Sequence, residues 1–272
     1  CVHKKNLAKA LKKLSLKVSF ATNIDETARL CDYVCPDNNY LESWNDAEPV
    51  NGFYSFTQPA IRPIFDTRQF QESLLNWMKV DQSFSDYLEK NWETSFFPKQ
   101  KTFNSFDRFW FKCKKDGVYY MATKEQSRPV FKGRKLKAGK PKKGMLELAL
   151  YENISMGSGR YANNPWLQEM PDPVTTATWD NYVTVPPAFA KAQGLKQEDV
   201  VKINGKLELP VLIQPGQTEG TIGIALGYGR SHAGKVGDGI GKNVYELVNI
   251  AGGLKNLLGT SVTMEKTAKT YS

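Results

Sequence analysis

The spacing of apolar residues changes along the chain, and the first part alternates between two patterns. In residues 6–78, short helical patterns alternate with short strand-like runs. The predicted elements are a helix in the opening segment, strands at 17–21 and 33–36, and a helix over 67–78. Asn23 followed by Glu26 predicts a capping box that opens another short helix. This alternation is typical of a parallel, doubly wound α/β layer.

Residues 79–131 carry a helical pattern that is rich in aromatic side chains. Positions i, i+3, i+4 and i+7 of one stripe are occupied by Phe106, Phe109, Trp110 and Cys113. Gly117 follows where such a helix would end. An aromatic stripe of this kind is more often core than a surface for cofactor stacking, so we expect a helical insertion with an aromatic core.

Residues 144–250 read as strands separated by tight turns. The predicted strands are 145–151, 179–185, 200–203, 206–213 and 221–226, and residues 186–193 form a helix that begins at proline. Asn204-Gly205 predicts a hairpin turn, because both turn positions require positive φ. Short strands with tight turns and one helix favour a closed barrel of about six strands.

These patterns predict three regions. Residues 1–78 are an α/β domain, 79–143 are a helical insertion with a basic linker, and 144–272 are a β-barrel domain. Within residues 132–143 there are seven Lys or Arg and no acidic residue. The run is interpreted as a solvated linker, and the alternative is a module that binds an anionic polymer. No nucleic-acid-binding motif accompanies it, so nucleic acid is not expected as a partner.

The amino-acid composition excludes several kinds of protein and of metal site, but it does not identify a function. The chain has 272 residues, 37 Lys and Arg against 28 Asp and Glu, and a formal net charge of +9. Its proportions are those of globular proteins, and no apolar stretch approaches the ~18–20 residues of a membrane-spanning helix. Four cysteines without a CxxC pair, and only two histidines, predict neither an iron–sulfur cluster nor a metal centre. The first residue is Cys1, and we expect an excised piece of a longer polypeptide.

Two segments could carry chemistry. Nine glycines lie between Gly216 and Gly241, which suits either backbone approach to a ligand or the tight corners of a small barrel. The segment 157–168 contains Asn163, Asn164 and Gln168, whose amides could read a heterocycle, and Trp166, which could stack on one. The alternative is a surface turn in which the asparagines cap backbone groups.

Several phrases resemble the molybdopterin oxidoreductase family. They are residues 20–28 (FATNIDETA), 34–37, 40–49, 59–68, 163–173 (NNPWLQEMPDP), 215–221, 225–230 (ALGYGR) and 233–245. The nearest branch is the molybdopterin-like, iron–sulfur subunit of bacterial alternative complex III. The resemblance implies a partial doubly wound α/β domain followed by a small double-psi-type β-barrel.

The resemblance also implies a function. The chain would be a scaffold fragment of a quinol-oxidising, electron-transfer complex on the periplasmic side of the inner membrane, with other subunits as partners. It would have no catalytic residue and no bound pterin, and iron–sulfur clusters would lie elsewhere in the longer polypeptide. The alternative is the distal half of a genuine oxidoreductase that binds molybdopterin guanine dinucleotide.

By the same resemblance, nine residues fall where cofactor-bearing relatives line the pterin-nucleotide cleft. They are Asn163, Asn164, Trp166, Gly227, Tyr228, Gly229, Arg230, Gly241 and Asn243. In the branch without pterin these positions would serve packing or subunit contacts.

Overall fold

The computed structural model describes residues 4–122, 130–133, 143–251 and 254–271, and the chain divides into two compact units. The unit that we call the sheet unit comprises Cys1–Ser15, Ile24–Leu30 and Lys135–Ser272. The second, the aromatic unit, comprises Leu16–Asn23 and Cys31–Arg134. Most of the predicted basic run, residues 134–142, lies outside the described residues.

The described helices are short and six in number within those ranges. They are α1 (Lys4–Leu11), α2 (Phe70–Trp77), α3 (Phe84–Ser95), α4 (Phe106–Asp116), α5 (Pro165–Glu169) and α6 (Pro187–Ala192). The strands are β1 (Val18–Ser19), β2 (Tyr33–Val34), β3 (Asn45–Val50), β4 (Phe53–Thr57), β5 (Val118–Tyr120), β6 (Leu146–Tyr151), β7 (Val183–Val185), β8 (Asp199–Ile203), β9 (Leu207–Ile213), β10 (Thr221–Ala225), β11 (Asn249–Ala251), β12 (Leu254–Asn256), β13 (Thr260–Val262) and β14 (Met264–Thr270). Single 3₁₀ turns occur at Ala28–Leu30, Tyr40–Glu42, Phe97–Lys99 and Val244–Leu247.

The sheet unit is built on one seven-stranded sheet, in the order β13-β6-β10-β7-β9-β8-β14. Strands β13 and β14 lie at opposite edges, yet only Thr263 separates them in the chain. In a flat sheet those edges would be about 29 Å apart, because neighbouring strands are spaced by about 4.8 Å. One residue spans only about 3.5 Å. The sheet therefore curls until its two edges approach each other, as a half-barrel.

The inner face of this sheet is aliphatic. Val183 and Val185 of β7, Val201 and Ile203 of β8 and Ile222 of β10 are all fully buried. β-branched residues fill such a face well, because their stiff side chains pack on a pleated surface. The predicted hairpin is confirmed: β8 and β9 are antiparallel, and Asn204 and Gly205 both have positive φ.

The aromatic unit has a different kind of core, centred on Trp92 of α3. The N-cap of helix α4 is Ser105. Gly117 ends the helix in the left-handed conformation, and the sequence predicted this end. The predicted stripe packs inward, and Phe109 and Cys113 are buried. Burial raises the pKa of the Cys113 thiol to about 12.

Three expectations about local structure need correction. Asn23 and Glu26 do not form a capping box: Asp25 accepts from the N–H groups of Thr27 and Ala28, and only a 3₁₀ turn follows. The predicted doubly wound layer is reduced, among the described residues, to the parallel pair β1–β2. Instead, β3, β4 and β5 form an antiparallel sheet that the sequence analysis missed. The curled sheet has seven strands and two short helices rather than six and one, because the C-terminal strands β13 and β14 complete it.

Candidate functional site

All nine predicted site residues lie in the sheet unit, and backbone contacts between glycines bring their two segments together. A Cβ placed on Gly159 would lie 2.4 Å from the carbonyl oxygen of Gly227. A Cβ on Gly227 would lie 2.8 Å from the carbonyl oxygen of Gly157. Real Cβ atoms do not approach oxygen so closely, so the two loops can touch only because these positions lack side chains.

The remaining site glycines also pack against the chain itself. A Cβ on Gly229 would lie 2.0 Å from the backbone nitrogen of Asn243, and one on Gly241 would lie 2.7 Å from Oδ1 of Asn181. The Asn181 amide, which is buried, donates to the Ala225 carbonyl (3.1 Å) and accepts from the N–H of Lys242 (2.8 Å). The glycine-rich segment is thus folded tightly onto its own backbone.

The predicted asparagines serve as acceptors for backbone N–H groups. Asn164 is the N-cap of α5 and accepts from Trp166 N and Leu167 N. Asn243 caps the turn at Val244–Leu247 in the same way. Oδ1 of Asn163 accepts from the Val236 N–H at 3.0 Å, which joins the two segments again. These contacts agree with the structural alternative that the sequence analysis left open, in which asparagines cap backbone groups.

The two aromatic residues of the set differ in exposure. Trp166 is 81% exposed, whereas Tyr228 is 6% exposed and its hydroxyl accepts from Asn153 Nδ2 at 3.2 Å. Gln168, the third amide of the predicted segment, is buried and donates to the Ala162 carbonyl at 2.9 Å. Its Oε1 has no hydrogen-bond partner among the described residues.

Arg230 is held by a carboxylate far away in sequence. Its Nε lies 2.8 Å from Oε1 of Glu26, and its Nη2 lies 2.5 Å from Oε2. The third nitrogen, Nη1, donates to the Gly159 carbonyl at 2.6 Å. Both side chains are only 24% exposed. The hydrogen bonds from Arg230 have the largest effect on the pKa of Glu26. Together with the backbone N–H groups of Glu26, Ser231 and His232 they outweigh the desolvation of the carboxylate and hold this pKa far below its ordinary value.

Backbone N–H groups of the loop after Arg230 also donate hydrogen bonds to carboxylates. The N–H groups of Ser231 and His232 donate to Oε1 of Glu26 at 3.0 and 3.2 Å. Those of Ala233 and Gly234 donate to Oδ1 of Asp238 at 2.6 and 3.1 Å. Four successive backbone N–H groups thus point at carboxylate oxygens, two at Glu26 and two at Asp238. We call residues 230–234 the donor loop.

The sequence analysis missed Glu26, Asp238 and Asn181 as members of this site. Glu26 lies within residues 20–28, a phrase that carries the resemblance, but it was interpreted as a helix cap. Its partner is 204 residues away, so no local spacing links the two. Asp238 follows the donor loop within the glycine-rich segment, and an acid among so many glycines was the available signal.

In the described arrangement, most of the predicted cofactor residues are engaged by other parts of the chain itself. Apart from Trp166, each predicted residue contacts other residues of the sheet unit. The side chains do so through hydrogen bonds, and the glycines through close packing of other atoms beside their Cα atoms. Within the described ranges, no three His, Cys, Asp or Glu side chains cluster as metal ligands would.

No described helix has the length and apolar character needed to span a membrane.

Comparisons with known proteins confirm the resemblance to the molybdopterin oxidoreductase family, although no family model matches the chain. The chain is 27% identical over 267 residues to the menaquinone reductase, molybdopterin-binding-like subunit, of Nitratidesulfovibrio vulgaris. The match covers 88% of this chain and 35% of that relative, so the chain spans about a third of the relative's length.

A solved structure shows the same fold. Acetylene hydratase from Pelobacter acetylenicus superimposes with a TM-score of 0.64 over 97% of this chain and 42% of that chain, at 18% sequence identity. The mixed α/β architecture with a curled sheet is therefore shared with that protein.

Proposed function

We propose that this chain is part of a molybdopterin-oxidoreductase-like subunit of a respiratory complex that exchanges electrons with a quinone. In that complex it would act as a scaffold without bound pterin. The relative that supports the proposal is named as a subunit of a menaquinone reductase. The resemblance in the sequence implied quinol oxidation, which is the opposite direction, so we propose quinone-linked electron transfer without fixing its direction.

The observation that carries the scaffold proposal is the ion pair of Arg230 with Glu26. Arg230 is the one positively charged residue among the nine predicted cofactor residues, and a carboxylate of the same chain engages two of its nitrogens. A pterin nucleotide carries phosphates, and a guanidinium is a strong ligand for phosphate. The carboxylate and a phosphate would repel each other, so both cannot use this group in the arrangement described.

In this proposal the chain contributes shape and rigidity instead of a reacting group. The glycine contacts of Gly159 with Gly227 and of Gly229 with Asn243 fix the loops, and the curled sheet supports them. Neighbouring subunits would dock on this body, and the exposed ring of Trp166 is a suitable contact for one of them. The complex would lie at the periplasmic face of the membrane.

Metal and pterin analysis of the full-length protein, purified within its native complex, tests the proposal. We expect molybdenum and tungsten far below one atom per chain, and no fluorescent pterin after oxidative release. A stoichiometric amount of either metal together with pterin would overturn the scaffold proposal. That result would favour the alternative, a genuine oxidoreductase that binds molybdopterin guanine dinucleotide.

Purification also tests the proposed partners and location. A tagged full-length protein should co-purify with a fixed set of subunits from solubilised membranes. When protease is added to intact, washed spheroplasts, the protein should be digested, because it would lie on their outer side. Recovery as a single protein from the cytosol would contradict both parts of the proposal.

A further inference from the structure

Two short segments of the aromatic unit, residues 38–42 and 59–68, present large apolar side chains to solvent. The members of this set, with exposed fractions between 41% and 77%, are Tyr40, Leu41, Ile61, Ile64 and Phe65. Single exposed apolar residues are common at protein surfaces, whereas a group of several large ones marks an interaction site. We call these five side chains the apolar patch.

Hydrogen bonds join the two segments and bring the members of the apolar patch together. The Leu41 carbonyl accepts from the N–H groups of Ala60 and Ile61 at 2.7 and 3.2 Å. One oxygen of the Glu42 carboxylate accepts from the Ile64 N–H at 3.1 Å. The apolar patch is therefore one surface feature, although its members come from separate parts of the sequence.

The backbone beneath the apolar patch is held by the chain itself. Pro59 and Pro63 restrict φ within the second segment. In the first segment, Asn39 caps the 3₁₀ turn at Tyr40–Glu42, and Glu42 accepts from the Asn39 N–H at 2.9 Å, which completes a capping box. A surface that is already ordered loses little conformational entropy when a partner binds, so its apolar side chains contribute more of their binding energy.

Two guanidinium groups accompany the apolar patch. Arg62 and Arg68 are exposed, and in the described part of the chain neither side chain has an ion-pair partner. Asp66 is the one acid of residues 59–68, so this segment carries a net charge of +1. An anionic lipid surface is held by clusters of about 4–8 basic residues, so one net charge favours a protein partner instead.

The unpaired guanidinium groups also indicate which kind of protein contact the surface makes. Inside one folded chain, a buried charge without a partner is costly. At the rim of an interface between subunits, a guanidinium stays partly hydrated and can meet a carboxylate of the other subunit.

We propose that the apolar patch, together with Arg62 and Arg68, docks a neighbouring subunit through an apolar pocket that is bordered by acidic side chains. The inference rests on the proposed function, in which the chain is part of a complex of several subunits, and it names one surface that such a complex uses. Tyr and Arg are frequent anchors of interfaces, and Phe is enriched in them, so Tyr40, Phe65 and Arg62 are the expected anchors.

Site-specific photo-crosslinking in the full-length protein, assembled in its native complex, tests the inference. Phe65→p-benzoylphenylalanine keeps an aromatic ring at the apolar patch. The matched control is the same substitution at Phe111, which is 65% exposed on α4 of the same unit. We expect a crosslink from position 65, and not from position 111, that adds the mass of one other subunit. A crosslink within the same polypeptide or to a second copy, equal yields at both positions, or no crosslink at position 65 would each overturn the inference.

Phe65→Ala and Arg62→Glu test the apolar and the charged component separately. With the subunit that the crosslink identifies, we expect each variant to raise the dissociation constant by about tenfold or more, because interface anchors have effects of this size. Phe111→Ala should leave it unchanged. Arg62→Glu should also weaken the salt dependence of association, because an attractive charge is removed. Unchanged binding in both variants would contradict the inference.

The outcomes separate this inference from the proposed function. If the wild-type complex purifies intact but position 65 crosslinks to no other subunit, only the inference is wrong. Recovery of the wild-type protein without partner subunits contradicts the proposed function itself. Because the crosslinking substitution keeps the ring, it still decides the question if Phe65→Ala lowers the yield of folded protein.

Discussion

The two units differ in the kind of contact that holds segments distant in sequence together. In the aromatic unit, Trp92 is fully buried and lies within 4.2–6.2 Å, centroid to centroid, of six other rings. In the site region of the sheet unit, Gly159 and Gly227 bring backbone directly against backbone. One region is held by the largest side chains and the other by positions without any.

The difference teaches how each region should respond to change. An aromatic ring buries a large area, so its removal leaves a cavity that short helices and a three-stranded sheet cannot refill. A glycine contact contributes little area, but it leaves no room for an added carbon atom. Truncation should therefore damage the aromatic unit most, whereas enlargement should damage the site region most.

The largest effect is expected for Trp92→Ala. The substitution removes the central ring and leaves the Asp46 carboxylate without the indole N–H that donates to it at 2.8 Å. We expect a loss of about 3–5 kcal/mol in the free energy of unfolding, measured by denaturant titration. Trp92→Phe is the control: it keeps most of the ring and should lose less. Equal losses for both variants would mean that the hydrogen bond, not packing, dominates.

The second largest loss in the free energy of unfolding is expected for Gly229→Ala, which adds a side-chain carbon at a close backbone contact. In Gly229→Ala the added carbon would lie 2.0 Å from the backbone nitrogen of Asn243, at a φ of +69°. We expect a loss of about 2–5 kcal/mol, from overpacking together with the left-handed conformation. Gly239→Ala is the matched control, because its φ is +75° but nothing lies within 4 Å of the new carbon. It should lose only about 1–2 kcal/mol.

A smaller effect is expected from Glu26→Gln, and it should depend on pH. The folded protein holds the pKa of Glu26 well below its unfolded value, so the carboxylate stabilises the fold above pH ~4.3 and loses that contribution as the pH falls further. At pH 7 we expect the variant to be less stable by about 1–3 kcal/mol. The difference from the wild type should shrink between pH ~5 and 3. A difference that stays constant with pH would contradict the assignment of this ion pair.

The smallest effect is expected from Trp166→Ala. Its side chain is 81% exposed, so its removal should change the free energy of unfolding by less than about 0.5 kcal/mol. The comparison with Trp92→Ala is direct, since the same side chain is removed from a buried and from an exposed position. A loss of more than about 2 kcal/mol at Trp166 would contradict the exposed position of this side chain.

Much of the fold follows from local patterns in the sequence. The hairpin at Asn204-Gly205 and the cap at Gly117 were predictable because a turn with positive φ selects its own residues. The antiparallel sheet of β3, β4 and β5 was not predictable, because β5 pairs with β4 from more than 60 residues away and no spacing records that contact.

The sequence pointed to one part of the site region, but not to the tertiary contacts that join it or to Glu26, Asp238 and Asn181. The resemblance pointed to Arg230, Asn163 and the glycines, and the structure brings their segments together. That Glu26 engages Arg230 could not be read from the sequence, since a carboxylate three residues after an asparagine equally fits a helix cap. Two local interpretations of the same residue were compatible, and only the tertiary contact distinguishes them.

The strands on either side of Thr263 have a consequence for synthesis. Strand β13 pairs with the outer edge of β6, and β14 pairs with the outer edge of β8. These two edges therefore stay unpaired until residues 260–270 have left the ribosome. An open edge can pair with a strand of another chain. In the growing polypeptide, 46 residues separate the end of β9 from the start of β13, and both strand edges stay unpaired until β13 and β14 cover them.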